Sequence, residues 1–528
     1  VKKINELEVD MTKKVIAIAL IGMLCIGALF AGGGQEKSEK DQEKKGETES
    51  VSKEPVRALI VPPDRVTPGT ISAGAGAIFT SCVYDWLVRI DGETGKVVPS
   101  LAESYEMSDD AKTWTFTLRK GVKFHHGTEL TAEDVQFTAE RWIDPDLGSA
   151  LQGVFGDLIE EIEIVDKYTV RFHLSKVEVN FDLKLLDFNA SILAHDYNYD
   201  EKGETAPSGT GAWIVDKYVP RERVTFKANP DYWMEGVPYM DSLEILFIPE
   251  TETQIKMMES GQADIITDIS VDQYRRLNNN QNVTGEYIEL AHHVPIAMRT
   301  DQEPFNDPRV RKAMKLVVDR EEMLESVMYG MGTLANDHPI PPFNPMYDDL
   351  GGIREQDIEE AKRLLAEAGY EDGLTVTIYC GSNIPPVLDV VLAYQQMAKE
   401  AGITVEISTA TRDVYLSKYW LEANFKATLW GHREDPTQLL NLAYKCGAPW
   451  NEGHYCNEEL DTYVEMASAE SDAEKRKEHY SKIQQILHDD GPSIIAFFQP
   501  YFGATANRIE NFYMTRNWIN DYRFIKIK

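Results

Sequence analysis

Two histidine pairs, His125-His126 and His292-His293, are the first residues that invite a chemical reading. Neutral imidazole binds transition metals and moves protons near pH 7. Neither pair is accompanied by cysteine or carboxylate at a ligand-forming spacing, so both read as hydrogen-bonded structural histidines and no metal is expected. No G-x-S-x-G elbow, H-E-x-x-H helix or G-x-x-x-x-G-K-[ST] loop occurs. Carboxylates are plentiful, and abundance alone does not single out a two-carboxylate glycosidase site. No catalytic residue and no cofactor is therefore assigned, and the chain is expected not to be an enzyme.

Flat aromatic faces carry more. Trp430 and Trp450, with Tyr419 and Trp420 upstream, offer surfaces on which a sugar ring stacks. Arg433 and Asn451 add donors for hydroxyls or a carboxylate. For each tryptophan the alternative reading is ordinary core. Four cysteines lie beyond the N-terminal apolar run, Cys82, Cys380, Cys446 and Cys456, and four allow three pairings. Cys446 and Cys456 bracket a short loop rich in turn residues.

The elements that must position these residues follow from periodicity. Thr113 to Leu118 alternates, with Trp114, Phe116 and Leu118 on one face, and predicts a half-buried strand. Thr131 with Asp134 three residues on predicts a capped helix through Trp142, its apolar side carried by Val135, Ala139 and Trp142. Arg57 to Val61 and Tyr168 to Leu174 read as strands, and Ile78 to Val88 as a helix. A strand from Leu243 to Pro249, a helix from Glu252 to Ser260 and a strand entry at Asp264-Ile265 make a βαβ element. Further on, Val310, Ala313, Met314, Val317 and Val318 form one amphipathic stripe. Glu359 to Ala368 predicts a helix stopped by Gly369; Thr375 to Cys380, Val387 to Glu400 and Ile403 to Ile407 read as strand, helix and strand. The glycines of Gly209-Thr210-Gly211 are expected to serve a turn that needs backbone freedom.

A chain of 528 residues is too long for one small core and suits two or three lobes. Its formal charge of −33, from 87 acidic and 54 basic residues, argues against nucleic acid and against an anionic membrane surface. Residues 1–34 read as an export signal region with Met11 as the candidate start: Lys13 and Lys14 precede an apolar run from Val15 to Phe30 that ends in small residues. Residues 35–55 are polar and charged and read as a disordered tether.

As a word order, Pro99 to Trp142 (PSLAESYEMSDDAKTWTFTLRKGVKFHHGTELTAEDVQFTAERW) resembles the signature of the extracytoplasmic solute-binding proteins of the dipeptide/oligopeptide/nickel class, family 5, the capture subunits of ATP-driven (ABC) importers. Gly209 to Trp213, Asn229 to Trp233, Gly261 to Ile265 and Pro304 to Ala313 continue the resemblance, which covers about Val56 to Lys528. It implies an α/β fold of the periplasmic-binding-protein type II kind, two α/β lobes joined by a hinge with a satellite lobe. The implied layout is 56–93 first lobe, 94–208 satellite lobe, 209–294 first lobe again, 295–497 second lobe, and 498–528 returning to the first. It also implies that Trp430-Gly431-His432-Arg433-Glu434-Asp435-Pro436 forms a wall of the ligand cleft. In peptide-binding members an aspartate shortly after the tryptophan holds the ligand's amino group; here His432 or Arg433 stands there. The ligand set expected is Trp430, Gly431, His432, Arg433, Asp435, Trp450 and Asn451, with a Cys446–Cys456 disulfide and Cys82 and Cys380 free.

The function this implies is capture of an oligosaccharide or oligopeptide between two lobes by a monomer, followed by delivery to ABC permease subunits. The implied place is the periplasm or cell envelope, with a cleaved signal as the main reading and a membrane anchor as the alternative. Cys25, after Gly22-Met23-Leu24, departs from the family's lipidation box because Leu24 is bulky. The missing aspartate tilts the ligand toward sugar. Two other classes remain as alternatives, a secreted hydrolase and a sensory or chaperone-type binding protein without an importer.

Overall fold

Val56–Ile60 is almost continuously apolar because both of its faces are covered. In the computed structural model, which describes residues 54–528 apart from Ala73 and Asn383, it sits in the middle of the largest sheet. The export signal and all but the last residues of the tether expected from the sequence lie outside the described residues. Strand Val56–Ile60 pairs in parallel with Ser242–Phe247 on one side and Ile265–Ile269 on the other, and helix Thr251–Glu259 makes the crossover. Arg223–Ala228 and Trp213–Val219 extend the sheet antiparallel on one flank; Phe497–Ala506 and Val283–His293 extend it on the other.

A second sheet has the order Ile403–Ala410, Leu374–Gly381, Phe425–Ala427, Ile296–Met298, Ser493–Ile494. Leu374–Gly381 is parallel to both of its neighbours, and its connection to Ile403–Ala410 runs through helix Val387–Glu400. A third, antiparallel sheet is built from Ala102–Met107, Thr113–Leu118, Thr169–Leu174 and Ile159–Asp166. Trp114, Phe116 and Leu118 point into its core, and helix Ala132–Ile143 buries Val135, Ala139 and Trp142. The Thr131/Asp134 capping box is formed. The architecture is that of a type II periplasmic binding protein.

The chain passes between the first two sheets twice. Val283–His293 in the first sheet is followed by Ile296–Met298 in the second, and Ser493–Ile494 in the second by Phe497–Ala506 in the first. The two passages run side by side, Ile296 pairing with Ile494 and His293 with Phe498.

Two local expectations need correction. The helix expected over Ile78 to Val88 spans Gly74–Val83 instead, and Val88–Ile90 is a strand paired with Val97–Pro99. Buried Asp85 pulls the chain out of the helix, its carboxylate accepting from Thr210 Oγ1 (3.2 Å), Tyr232 OH (3.1 Å) and Trp233 Nε1 (3.0 Å). The reason for Gly209 and Gly211 is space rather than backbone freedom. Neither has a positive φ, but a Cβ on Gly209 would lie 2.2 Å from the Val83 carbonyl oxygen, and one on Gly211 2.5 Å from the Val83 carbonyl carbon.

Candidate functional site

The segment after Phe425–Ala427 runs along the passage between the sheets. Trp430 forms an isolated bridge with His293, N–H to O in both directions at 3.0 and 3.2 Å. Past Gly431, the His432 ring is buried and its Nδ1 accepts from the Ala291 amide at 3.1 Å. That bond leaves the proton on Nε2, which lies 3.0 Å from Glu434 Oε1. Burial works against the Glu434 charge, but His432 and then Arg516 outweigh it and hold the carboxyl below its ordinary range. Arg516 also lies over the Phe343 ring, 4.7 Å from its centre, and Phe343 packs near His432.

Arg433 comes next. Its Nη1 donates to the His432 carbonyl at 2.8 Å. Among the described residues its Nε and Nη2 have no hydrogen-bond partner. Burial lowers its pKa, and Asp187 only partly offsets that. The His292 ring packs 5.2 Å from Trp518, and its buried Nε2 has no partner among the described residues. Burial first, then His432, His293 and Arg433, push its pKa down to about 3, so the imidazole is neutral at ordinary pH. Trp518, at φ +59°, also meets Phe188 and Tyr501. These groups converge on the absent side chain of Gly431. A Cβ there would lie 3.5 Å from Arg433 Nη1, 3.8 Å from His292 Nε2 and 3.9 Å from Trp518 Cη2.

Asp268 is a further charged group on this side of the main sheet. It stands at a bulge near the carboxyl end of Ile265–Ile269 with φ +62°, a strained setting for a residue with a Cβ. Solvent reaches it, yet protein surrounds most of the carboxyl and pushes its pKa up; the Tyr501 hydroxyl is raised by its own burial first and then by the Asp268 charge.

The other expected ligand residues are placed differently. Asp435 is fully buried and both oxygens are occupied. It caps helix Pro436–Ala443 through the Thr437 amide (3.0 Å), and it accepts from Lys184 Nζ (2.6 Å) and Asn180 Nδ2 (3.3 Å). Asn451 is likewise consumed within its own loop: Nδ2 donates to the Lys445 and Tyr455 carbonyls, and Oδ1 accepts from the Tyr455 amide. The expectation that these two face a ligand does not fit those bonds, because neither retains a free polar atom. Trp430 is 6% exposed and donates to Glu452 Oε1 at 2.6 Å, whereas Trp450 is 39% exposed. Their rings and that of Trp420 pack with centres 5.8–6.2 Å apart.

Cys446 and Cys456 are bonded, and Cys82 and Cys380 are buried free thiols. His125 and His126 bond to Gly211 O and Ser208 Oγ. Sequence reasoning singled out His292 but read it as a structural histidine, and it missed Trp518, Asp268 and Arg516. For Trp518, in an irregular tail, there was no signal.

Comparison with known proteins accords with this architecture. Residues 96–452, more than half of the chain, match the family model described as bacterial extracellular solute-binding proteins, family 5. Heme-binding protein A of Haemophilus influenzae is 29% identical over 465 residues, covering 81% of this chain and 84% of its own length. The dipeptide-binding protein of Escherichia coli is 26% identical, covering 81% and 86%. Among solved structures, a dipeptide-binding protein from Pseudoalteromonas in complex with Met-Leu superposes with a TM-score of 0.75 at 25% identity, covering 90% of this chain and all of that one. HbpA2 from Haemophilus parasuis gives 0.78 at 22%, covering 90% and 99%. These relatives are binding proteins, not enzymes. The chain belongs to the bacterial extracellular solute-binding proteins of family 5, the binding components of ABC importers.

Proposed function

We propose that this chain captures a small peptide or peptide-derived solute between its first two sheets and presents it to a membrane permease. The observation that carries the reading is the cluster of His292, Arg433 and Trp518 around Gly431, where His292 Nε2 and the Nε and Nη2 of Arg433 lack hydrogen-bond partners among the described residues. A concave site with a few placed polar groups is what small-molecule binding requires. Asp268, whose residue solvent reaches, is the partner for a cationic end of the ligand. Domain closure about the two passages would bury the solute and form the surface a permease reads. We place the protein outside the cytoplasm on its family; no helix among the described residues is long and apolar enough to cross a membrane.

An oligosaccharide is the second reading, favoured by the exposed face of Trp450 beside Trp420 and Trp430. A thermal-shift panel of di- and tripeptides, glutathione, heme and neutral oligosaccharides separates the two. A ligand at 100 times its Kd adds about 2.7 kcal/mol, which such a panel resolves. Stabilisation by peptides supports the first reading, and stabilisation by neutral sugars alone refutes it.

A further inference from the structure

We infer that the space at Gly431 is a carboxylate subsite, in which the Arg433 guanidinium and the His292 Nε2 hold the free carboxylate of the captured solute. The inference rests on the peptide reading for its scaffold, but the subsite has its own support. Arg433 spends one N–H on a neighbouring carbonyl and keeps the rest of its fork unbonded among the described residues. Its nearest acidic influence, Asp187, is not within ion-pair distance, and that carboxylate already accepts from the Asn189 amide at 2.9 Å.

A half-buried guanidinium with unbonded donors favours a planar anion that takes two parallel hydrogen bonds. His292 adds a buried nitrogen without a partner among the described residues; no bond fixes the tautomer, and the neutral imidazole donates to an anion when its proton is on Nε2. Trp518 closes the opposite side with an apolar edge, 3.9 Å from where a Gly431 Cβ would stand. Any side chain at position 431 would occupy the volume these groups enclose. An ammonium placed there would meet the guanidinium and be repelled, so the amino end of a peptide lies elsewhere.

The test compares L-alanyl-L-leucine with its C-terminal amide by calorimetry on the whole protein and on Arg433→Ala, Arg433→Lys and Gly431→Ala. Losing charge-assisted hydrogen bonds of this kind weakens binding by about 10- to 100-fold. The wild-type protein is expected to prefer the acid over the amide by that factor, and Arg433→Ala to bind the two alike. Arg433→Lys should keep part of the preference. Gly431→Ala places its Cβ at ordinary contact distances, so it folds as the parent does and weakens acid binding by narrowing the subsite. An acid preference that survives Arg433→Ala overturns the subsite while leaving peptide capture intact. If neither dipeptide binds, oligogalacturonate and neutral oligosaccharides take their place. Arg433-dependent binding of the uronate then retains the subsite and removes the peptide scaffold. Arg433-independent binding, or no binding from either panel, overturns the subsite as well.

Discussion

Asp337 illustrates how single charges hold the passage between the sheets. It is buried, receives both 2.8 Å contacts from Arg320 Nη2 and a 3.0 Å contact from Arg354 Nε, and accepts from the amide of Ile495. Burial alone would raise its pKa, but Arg320, Lys315 and Arg354 outweigh it and bring the value down to about 2. A depressed carboxyl stabilises the fold above its unfolded pKa and loses that contribution as pH falls through the folded one. The window is therefore about pH 4 down to about pH 2, and the contribution at neutral pH is about 2 kcal/mol. Asp337→Asn should cost about 3 kcal/mol at pH 7, since two guanidiniums lose their counter-charge. Urea unfolding should show that gap narrowing toward pH 2; a gap independent of pH would contradict the assignment. Asp268 predicts the opposite sign. Its raised carboxyl means that ionisation opposes folding once pH exceeds the unfolded value, and asparagine tolerates the left-handed backbone better. Asp268→Asn should raise the melting temperature at pH 7, and a fall would show that the carboxylate has a stabilising partner.

At the scale of elements, the buried contact between the turn Phe181–Lys184 and the start of helix Pro436–Ala443 joins the region beside the third sheet to the wall that carries Arg433. Lys184 lies between Asp435 and Glu178, whose charges outweigh its burial and keep its ammonium above the ordinary range. Lys184→Ala should destabilise by about 3–5 kcal/mol, because two buried carboxylates lose their cation. A cost below about 1 kcal/mol, the usual value for an exposed pair, would show that the contact opens in solution. Removing the Cys446–Cys456 bond should cost about 2–3 kcal/mol, a short-loop value, read as the difference in unfolding free energy between the protein and its Cys456→Ser variant. Elements with strong periodicity were legible in the sequence. Val387–Glu400 has the bounds its apolar spacing predicts, and so does Thr113–Leu118. Helix Ala473–Asp490 is mostly polar, with Tyr480, Ile483, Gln484 and Leu487 its buried residues, so periodicity pointed to it weakly. Where a tertiary contact decided the outcome, as Asp85 does at the end of Gly74–Val83, local pattern misplaced the boundary.

For the whole molecule, word order along the chain carried the fold, while the site depended on contacts between distant segments. Arg433 and Gly431 could be read from one segment, but their partners His292 and Trp518 come from positions far apart in the sequence. Asp435 and Asn451 looked available by residue type, yet local bonds absorb them. The net charge of −33 fits an extracytoplasmic protein, with cationic groups such as Arg433 and Arg516 held near the passage between the first two sheets. The central claim is that a solute is captured at Gly431. It is tested most directly by titrating di- and tripeptides into the wild-type protein and Gly431→Trp in a calorimeter. The account predicts one ligand per chain for the wild type and none for Gly431→Trp, with unfolding temperatures of the free proteins close together. Equal binding by both would place the ligand elsewhere and contradict it.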